Sequence, residues 1–281
     1  MTAILSVRSN IFLVSHTPRR RAIANSLSGL PSFLRILGIM RLLFYLLLLP
    51  SLLLAEDAPP ALTEYQGRTI AQTMHWTGAE WLMRANREQE ENAAMMIKEL
   101  RIQPGWTISD LGCGNGYHAL TMAGLTGEKG TILAVDIQPQ MLDMLSARAT
   151  GRGLKNIKTI LGSYHDPKLP PASCDLILLV DVYHEFSHPA HQLRAMHAAL
   201  KPEGRVALVE FRAEDNKVPI KTEHKMSKDQ IRKEWLPMGF VVDREFDGLP
   251  WQHLIFFKKA PSPSAPGLPT PQPGPAKPTI P

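Results

Sequence analysis

Between residues 102 and 259, short apolar runs alternate with longer segments whose apolar residues recur every three or four positions. The runs 107–111, 131–136, 157–161, 175–180 and 205–211 are rich in Val, Ile and Leu and too short for helices, so they predict buried strands. Segments 78–100, 117–125, 139–152, 189–200 and 228–236 predict helices. In the first of these, Leu82, Ala85, Ala93, Met96 and Leu100 fall at near-helical spacing with charges between them. Strands that are apolar on both faces and interleaved with helices make a mostly parallel sheet covered on both sides. Two further runs, 240–246 and 253–258, are joined around Gly248-Leu-Pro250, a connection too short for a helical crossover. They predict an antiparallel pair at the sheet edge. The expected fold is therefore α/β and doubly wound, with residues 66–259 as one domain and 56–65 as a linker.

The ends read differently. Residues 42–54 form an apolar run of 13 residues behind Arg41, too short to span a bilayer but of the length of a signal-peptide core. Segment 40–55 is expected to be a signal peptide or a membrane tether, and 1–39 an unstructured extension, with translation starting at Met40. Residues 260–281 hold nine prolines and are expected to be a disordered or polyproline-like tail. The chain of 281 residues carries a net charge of +5, but six arginines and no acid lie in the first 41 residues. The remainder has 25 basic against 26 acidic residues, which gives no basic surface for nucleic acid.

The chemistry is concentrated in Asp110-Leu-Gly-Cys-Gly-Asn-Gly116, between the first core strand and its helix. Gly112, Gly114 and Gly116 let the backbone turn tightly and approach a ligand closely. Asp136 ends the next strand, where a carboxylate accepts both hydroxyl hydrogens of an adenosine ribose. Asp110, at the first strand's end, would repel a pyrophosphate and suits a cation instead. The spacing is G-x-G-x-G rather than G-x-G-x-x-G. An adenosine bearing a positive group fits better than a nicotinamide dinucleotide.

These residues, with Ala134-Val-Asp136 and 175–185, resemble the class I S-adenosylmethionine-dependent methyltransferases over roughly 102–257. The resemblance implies a Rossmann-like, mostly parallel seven-stranded sheet with an antiparallel edge strand. It also implies S-adenosyl-L-methionine as cofactor and a small-molecule methyl acceptor. Asp110, Gly112 and Gly114, with Cys113 and Gly116 in the same loop, would hold the methionine part. Asp136 would hold the ribose and Ile137 would pack on the adenine. Ser163 and Tyr164 would lie near the adenine amino group, and Asp181 at the junction with the acceptor. Tyr183, His184 and Glu185 would face the acceptor, with His184 as a base where a proton must leave. A nicotinamide-dependent oxidoreductase and a non-catalytic S-adenosylmethionine-binding protein remain as alternatives. A leader that directs export, or tethers the domain to a membrane, sits awkwardly with a cofactor made in the cytosol; without a working leader the protein would be cytoplasmic.

His184-Glu-Phe-Ser-His188 matches the zinc-protease pattern H-E-x-x-H. Pro189 disfavours helical geometry at His188 and no third ligand is marked, so no metal is expected. His188 is expected to cap the helix beginning at Pro189. Cys113 and Cys174 fall at opposite rims of the sheet, too far apart for a disulfide. Met74-His75-Trp76 and Trp81 form either a lid or a packed N-terminal arm. Arg84 and Arg87 are expected on a solvated face, Trp251 in the core and His253 at the surface.

Overall fold

The computed structural model describes residues 59–261, so the apolar segment, the start at Met40 and the proline-rich tail lie outside the described residues. A small hairpin, β1 (Glu64–Tyr65) with β2 (Arg68–Thr69), opens the described chain. The single helix expected over 78–100 is instead three pieces: a 3-10 segment Trp76–Met83, then α1 (Arg87–Glu91) and α2 (Ala93–Glu99). Asn92 makes the break. At φ 52° it ends α1 in the left-handed region, and its side chain accepts the Met95 amide to start α2.

From there the alternation follows the reading closely. The elements are β3 (Thr107–Leu111), α3 (Ala119–Thr126), β4 (Thr131–Asp136), α4 (Pro139–Gly151), β5 (Ile157–Leu161) and β6 (Cys174–Val180). A 3-10 turn, Tyr183–Glu185, precedes α5 (Pro189–Ala199) and β7 (Leu200–Arg212). Then come a 3-10 turn Thr222–His224, β8 (Lys225–Met226), α6 (Lys228–Trp235), β9 (Phe240–Phe246) and β10 (Gln252–Lys259). The two-residue strands β1, β2 and β8 carry no pattern that sequence reading detects.

The sheet runs β5-β4-β3-β6-β7-β10-β9, with β8 beside β7. Pairings from β5 to β7 are parallel, while β10 is antiparallel to both β7 and β9. The mixed sheet with an antiparallel pair at its edge is as expected, and the reversed strand is the inner member of that pair. Alternate residues of β6 feed opposite cores: Leu176 and Leu178 join Ile108, Met122 and Leu145, whereas Ile177 and Leu179 join Leu193, Trp235 and Phe257. Trp235 stacks on Phe257 with ring centroids 4.6 Å apart. Burying each such side chain contributes about 1.5–3 kcal/mol.

Two expectations at the edge reverse. His253 is fully buried, because β10 sets it opposite Glu210 of β7, and Trp251 is only half-buried. Cys113 and Cys174 are both free. The central strand β3 has β4 on one side and β6 on the other. The chain therefore changes direction above β3, and a crevice opens at the carboxyl ends of these strands.

Candidate active site

The loop after β3 is held down onto β4. The amides of Gly112 and Cys113 both donate to the Val135 carbonyl at 2.9 Å. Asp136 completes the clamp: its Oδ2 accepts the Gly114 amide and its Oδ1 the Gln138 amide, each at 2.9 Å. A Cβ on Gly112 (φ 76°) would lie 2.4 Å from Val182 Cγ2, and one on Gly114 (φ 51°) 2.7 Å from Leu82. Glycine is needed at both positions for close approach as well as for the turn. Gly116 (φ 84°) faces away from the cleft and serves turn and packing, since its Cβ would lie 2.0 Å from Leu145 of α4.

A cleft of about 800 Å³ opens above this loop. Gly112, Gly114, Asp136, Ile137, Ser163, Tyr164 and Asp181 line it, together with Gln138 and Glu185. Asp110, Cys113 and Gly116 do not. Asp110 is buried beneath the loop with Oδ2 unpartnered. Burial pushes its carboxyl up to about 7, against the opposing pull of the Ala119 amide. Burial likewise raises the Cys113 thiol. Asp181 sits at φ 51°, an uncommon region for a residue with a Cβ. Gln252 donates to its Oδ2 at 2.6 Å while Oδ1 is buried without a partner. Burial, reinforced by Glu91 and Glu210, raises its pKa well above the carboxylate range. On the far side, Gln192 of α5 holds the carbonyls of Ser163 and Tyr164 at 3.0 and 3.1 Å. The Ser163 hydroxyl is turned into its own loop, accepting the Asp166 amide at 3.1 Å.

A second cavity of about 1450 Å³ meets the first at Met74, Asp181 and Glu185. Its wall carries Trp81, Arg87, His184, Glu185 and His224. Tyr183, expected at the acceptor, is fully buried and lines neither cavity. Its hydroxyl donates to Glu234 at 2.7 Å and its ring packs on Trp235. The His184 ring is bonded at both nitrogens, Nδ1 to Glu210 at 2.6 Å and Nε2 facing His224 Nδ1 at 3.1 Å. Burial lowers its pKa, but the Glu210 carboxylate more than offsets that and leaves it raised. His224 is lowered, by burial and then by His184. Glu185 accepts the Met74 amide at 3.3 Å, and burial pushes its carboxyl up to about 7.

His188 is the N-cap residue of α5, its carbonyl accepting the His191 and Gln192 amides at 3.1 Å, but its side chain makes no capping bond. Its Nδ1 meets Ser187 Oγ and its Nε2 the Pro59 carbonyl, so the two histidines of H-E-x-x-H do not converge. Arg87, expected on a solvated face, is buried: it pairs with Glu91 at 2.7 Å and donates to the Leu82 carbonyl. Arg84 pairs with Glu90 and Glu91 and lies over the Trp81 ring. Four site residues escaped the sequence reading: Arg87's buried role, Gln138, Glu210 and His224. Glu210 alone left a signal, an acid inside the apolar run 206–211. Gln138 accepts the Trp76 amide at 2.7 Å and donates to the Met74 carbonyl at 2.9 Å, pinning the N-terminal arm across the cleft mouth.

A family profile described as a methyltransferase domain matches residues 102–252. Nocamycin O-methyltransferase of Saccharothrix syringae is 30% identical over 106 residues, 38% of either chain. The tRNA U34 carboxymethyltransferase of Desulfotalea psychrophila is 32% identical over 131 residues, 46% of this chain and 38% of that one. The chain thus spans less than half the length of these curated relatives. The crystal structure of a SAM dependent methyltransferase from Aquifex aeolicus shares the fold with a TM-score of 0.62 at 22% identity, covering 66% of this chain and 98% of that one.

Proposed function

Starting from the chain's membership of the class I S-adenosylmethionine-dependent methyltransferases, we propose that its acceptor is a small molecule held in the second cavity. The observation that carries this reading is the meeting of the two cavities at Asp181 and Glu185. The first cavity suits the cofactor. The glycine loop leaves room that a Cβ would fill, and Asp181, on the cavity wall, presents a buried carboxylate oxygen without a partner. Such oxygens are costly unless a donor or cation reaches them. When bound, S-adenosylmethionine supplies a methyl group made electrophilic by its sulfonium.

Each residue's part follows from its position. Gly112, Gly114 and the orphaned carboxylate of Asp181 are assigned to the methionine end, Asp136 to the ribose and Ile137 to the adenine, with Asp110 supporting the loop from beneath. Tyr164, on the exposed rim, and the carbonyls of Ser163 and Tyr164 flank the adenine end. The arm pinned by Gln138 excludes water from the junction. Methyl transfer from sulfonium is an in-line displacement, so alignment between the cavities carries much of the rate. Where the acceptor must lose a proton, the group facing it is the His184–His224 pair, oriented by Glu210. Tyr183 positions the turn and touches no reactant.

One named relative acts on tRNA. The small-molecule reading is favoured because the acceptor wall carries Asp181 and Glu185 and the chain after residue 41 has a net charge of −1. Incubation with methyl-labelled S-adenosylmethionine and a fractionated metabolite extract tests it. Label in a low-molecular-weight product is expected; label only in RNA would overturn the acceptor class, and cofactor binding with no turnover on any fraction would leave a binding protein. The nicotinamide reading falls with the family. No helix among the described residues is long and apolar enough to cross a membrane. Export or tethering by the segment 40–55 remains part of the proposal, and fractionation of cells expressing the full chain decides it.

A further inference from the structure

His184, Glu185 and His224 each bring one ligating atom to a common point on the wall of the second cavity, all within 4.8 Å of one another. His184 and Glu185 come from the turn after β6, and His224 from the turn 40 residues further on. We infer that this trio is a binding site for a divalent cation of the zinc class, with an open coordination position facing the acceptor cavity. The inference deepens the acceptor site proposed above and makes no use of His188, the second histidine of H-E-x-x-H.

Three observations support it. First, Glu210 engages Nδ1 of His184 at 2.6 Å, which leaves the Nε2 lone pair aimed at the cluster. A carboxylate behind a ligating imidazole is the usual support of a metal-bound histidine, fixing tautomer and ring direction. Second, His184 Nε2 and His224 Nδ1 are 3.1 Å apart. Two nitrogens on a tetrahedral zinc at 2.0–2.1 Å bond lengths would be separated by about 3.3 Å, so this pair already stands close to ligand spacing. Third, carboxylates stand beside the site and its two arginines are already paired. Glu185 belongs to the trio and Glu210 bonds His184, while Arg87 is paired with Glu91 and Arg68 with Glu234. Lys221 lies on the cavity rim and is exposed. Two histidines and one glutamate with the remaining positions open are the ligand set of a catalytic rather than a structural zinc site. The open position would take water, or an acceptor thiolate or alkoxide, directly beside the junction of the two cavities. A shared proton between the two rings explains the same 3.1 Å separation without a metal, and the test separates the two.

Full-length protein, stripped with a chelator and checked by circular dichroism, is titrated calorimetrically with Zn²⁺ and then with Co²⁺, whose visible absorption reports its ligand geometry. Binding of about one equivalent per chain, with tetrahedral-type Co²⁺ absorption, is expected. His224→Ala and Glu185→Gln should each weaken binding at least about tenfold, and Glu210→Gln by a similar factor through His184. His188→Ala should leave affinity unchanged. S-adenosylhomocysteine affinity measured on the same samples reports the cofactor cavity separately, so loss of one reading does not masquerade as loss of the other. Wild-type protein that takes up neither ion overturns the site and leaves a hydrogen-bonded histidine pair; equal loss of binding in the His188 and His224 variants overturns the ligand assignment.

Discussion

Asp110 shows how one carboxyl links stability to binding. Its folded pKa of about 7 lies above the ordinary 3.8, so the native state holds the proton more tightly than the unfolded chain. Its share of stability is therefore full below pH 3.8 and is lost as pH rises through 7, by up to about 4 kcal/mol. His118, pushed down to about 3 by burial and then by Arg87, acts in the opposite sense below its ordinary 6.5. The clean measurement is thus the difference between variants. Asp110→Asn, compared with wild type by ligand-free chemical denaturation, should gain relative stability from pH 5 to about pH 7 and level off above it, while losing S-adenosylmethionine affinity. A pH-independent difference would remove the assignment of Asp110 as a buried acid awaiting a cation. Asp136→Ala should weaken cofactor binding at least about tenfold, equivalent to about 1.4 kcal/mol. Asp136 was legible from its position at a strand end. The strained backbone of Asp181 was not, because φ is set by what packs around the residue.

At the level of elements, the junctions carry more information than the elements themselves. The packing of the β3–α3 loop on α4 depends on Gly116, where an added Cβ would meet Leu145 at 2.0 Å in a backbone already at φ 84°. Gly116→Ala should destabilise the protein by about 3 kcal/mol, summing overpacking and left-handed strain. The loss should appear in thermal unfolding rather than as selective loss of cofactor affinity. Gln138→Ala should do the reverse. It frees the arm at Met74 and Trp76 without touching the core, so S-adenosylhomocysteine should dissociate faster in stopped-flow measurements with little change in Tm. Helical spacing over 78–100 predicts one helix because the apolar positions keep step. Asn92, a good cap and a tolerant left-handed residue, broke it into two.

Across the whole molecule, electrostatics argues for the class of acceptor. A protein that neutralises several phosphates loses orders of magnitude in affinity between about 50 and 200 mM salt. With a near-neutral chain beyond residue 41, methyl transfer to the small acceptor proposed above should change less than about twofold over that range. A steep salt dependence of KM would point back to nucleic acid.

The strand–helix alternation, the parallel sheet and the glycine loop with its two acids were fixed locally, since hydrophobic period and turn chemistry act within a few residues of one another. The antiparallel pair was legible for the same reason, from the length of one connection. The acceptor side was not. Tyr183, His184 and Glu185 are neighbours in the chain, yet one faces the core at Glu234 and two face the cavity. His184 acquires its partners from β7 and from a turn 40 residues away. Such pairings are made when the sheet brings distant segments to one rim, and no local pattern encodes which side chains will meet there.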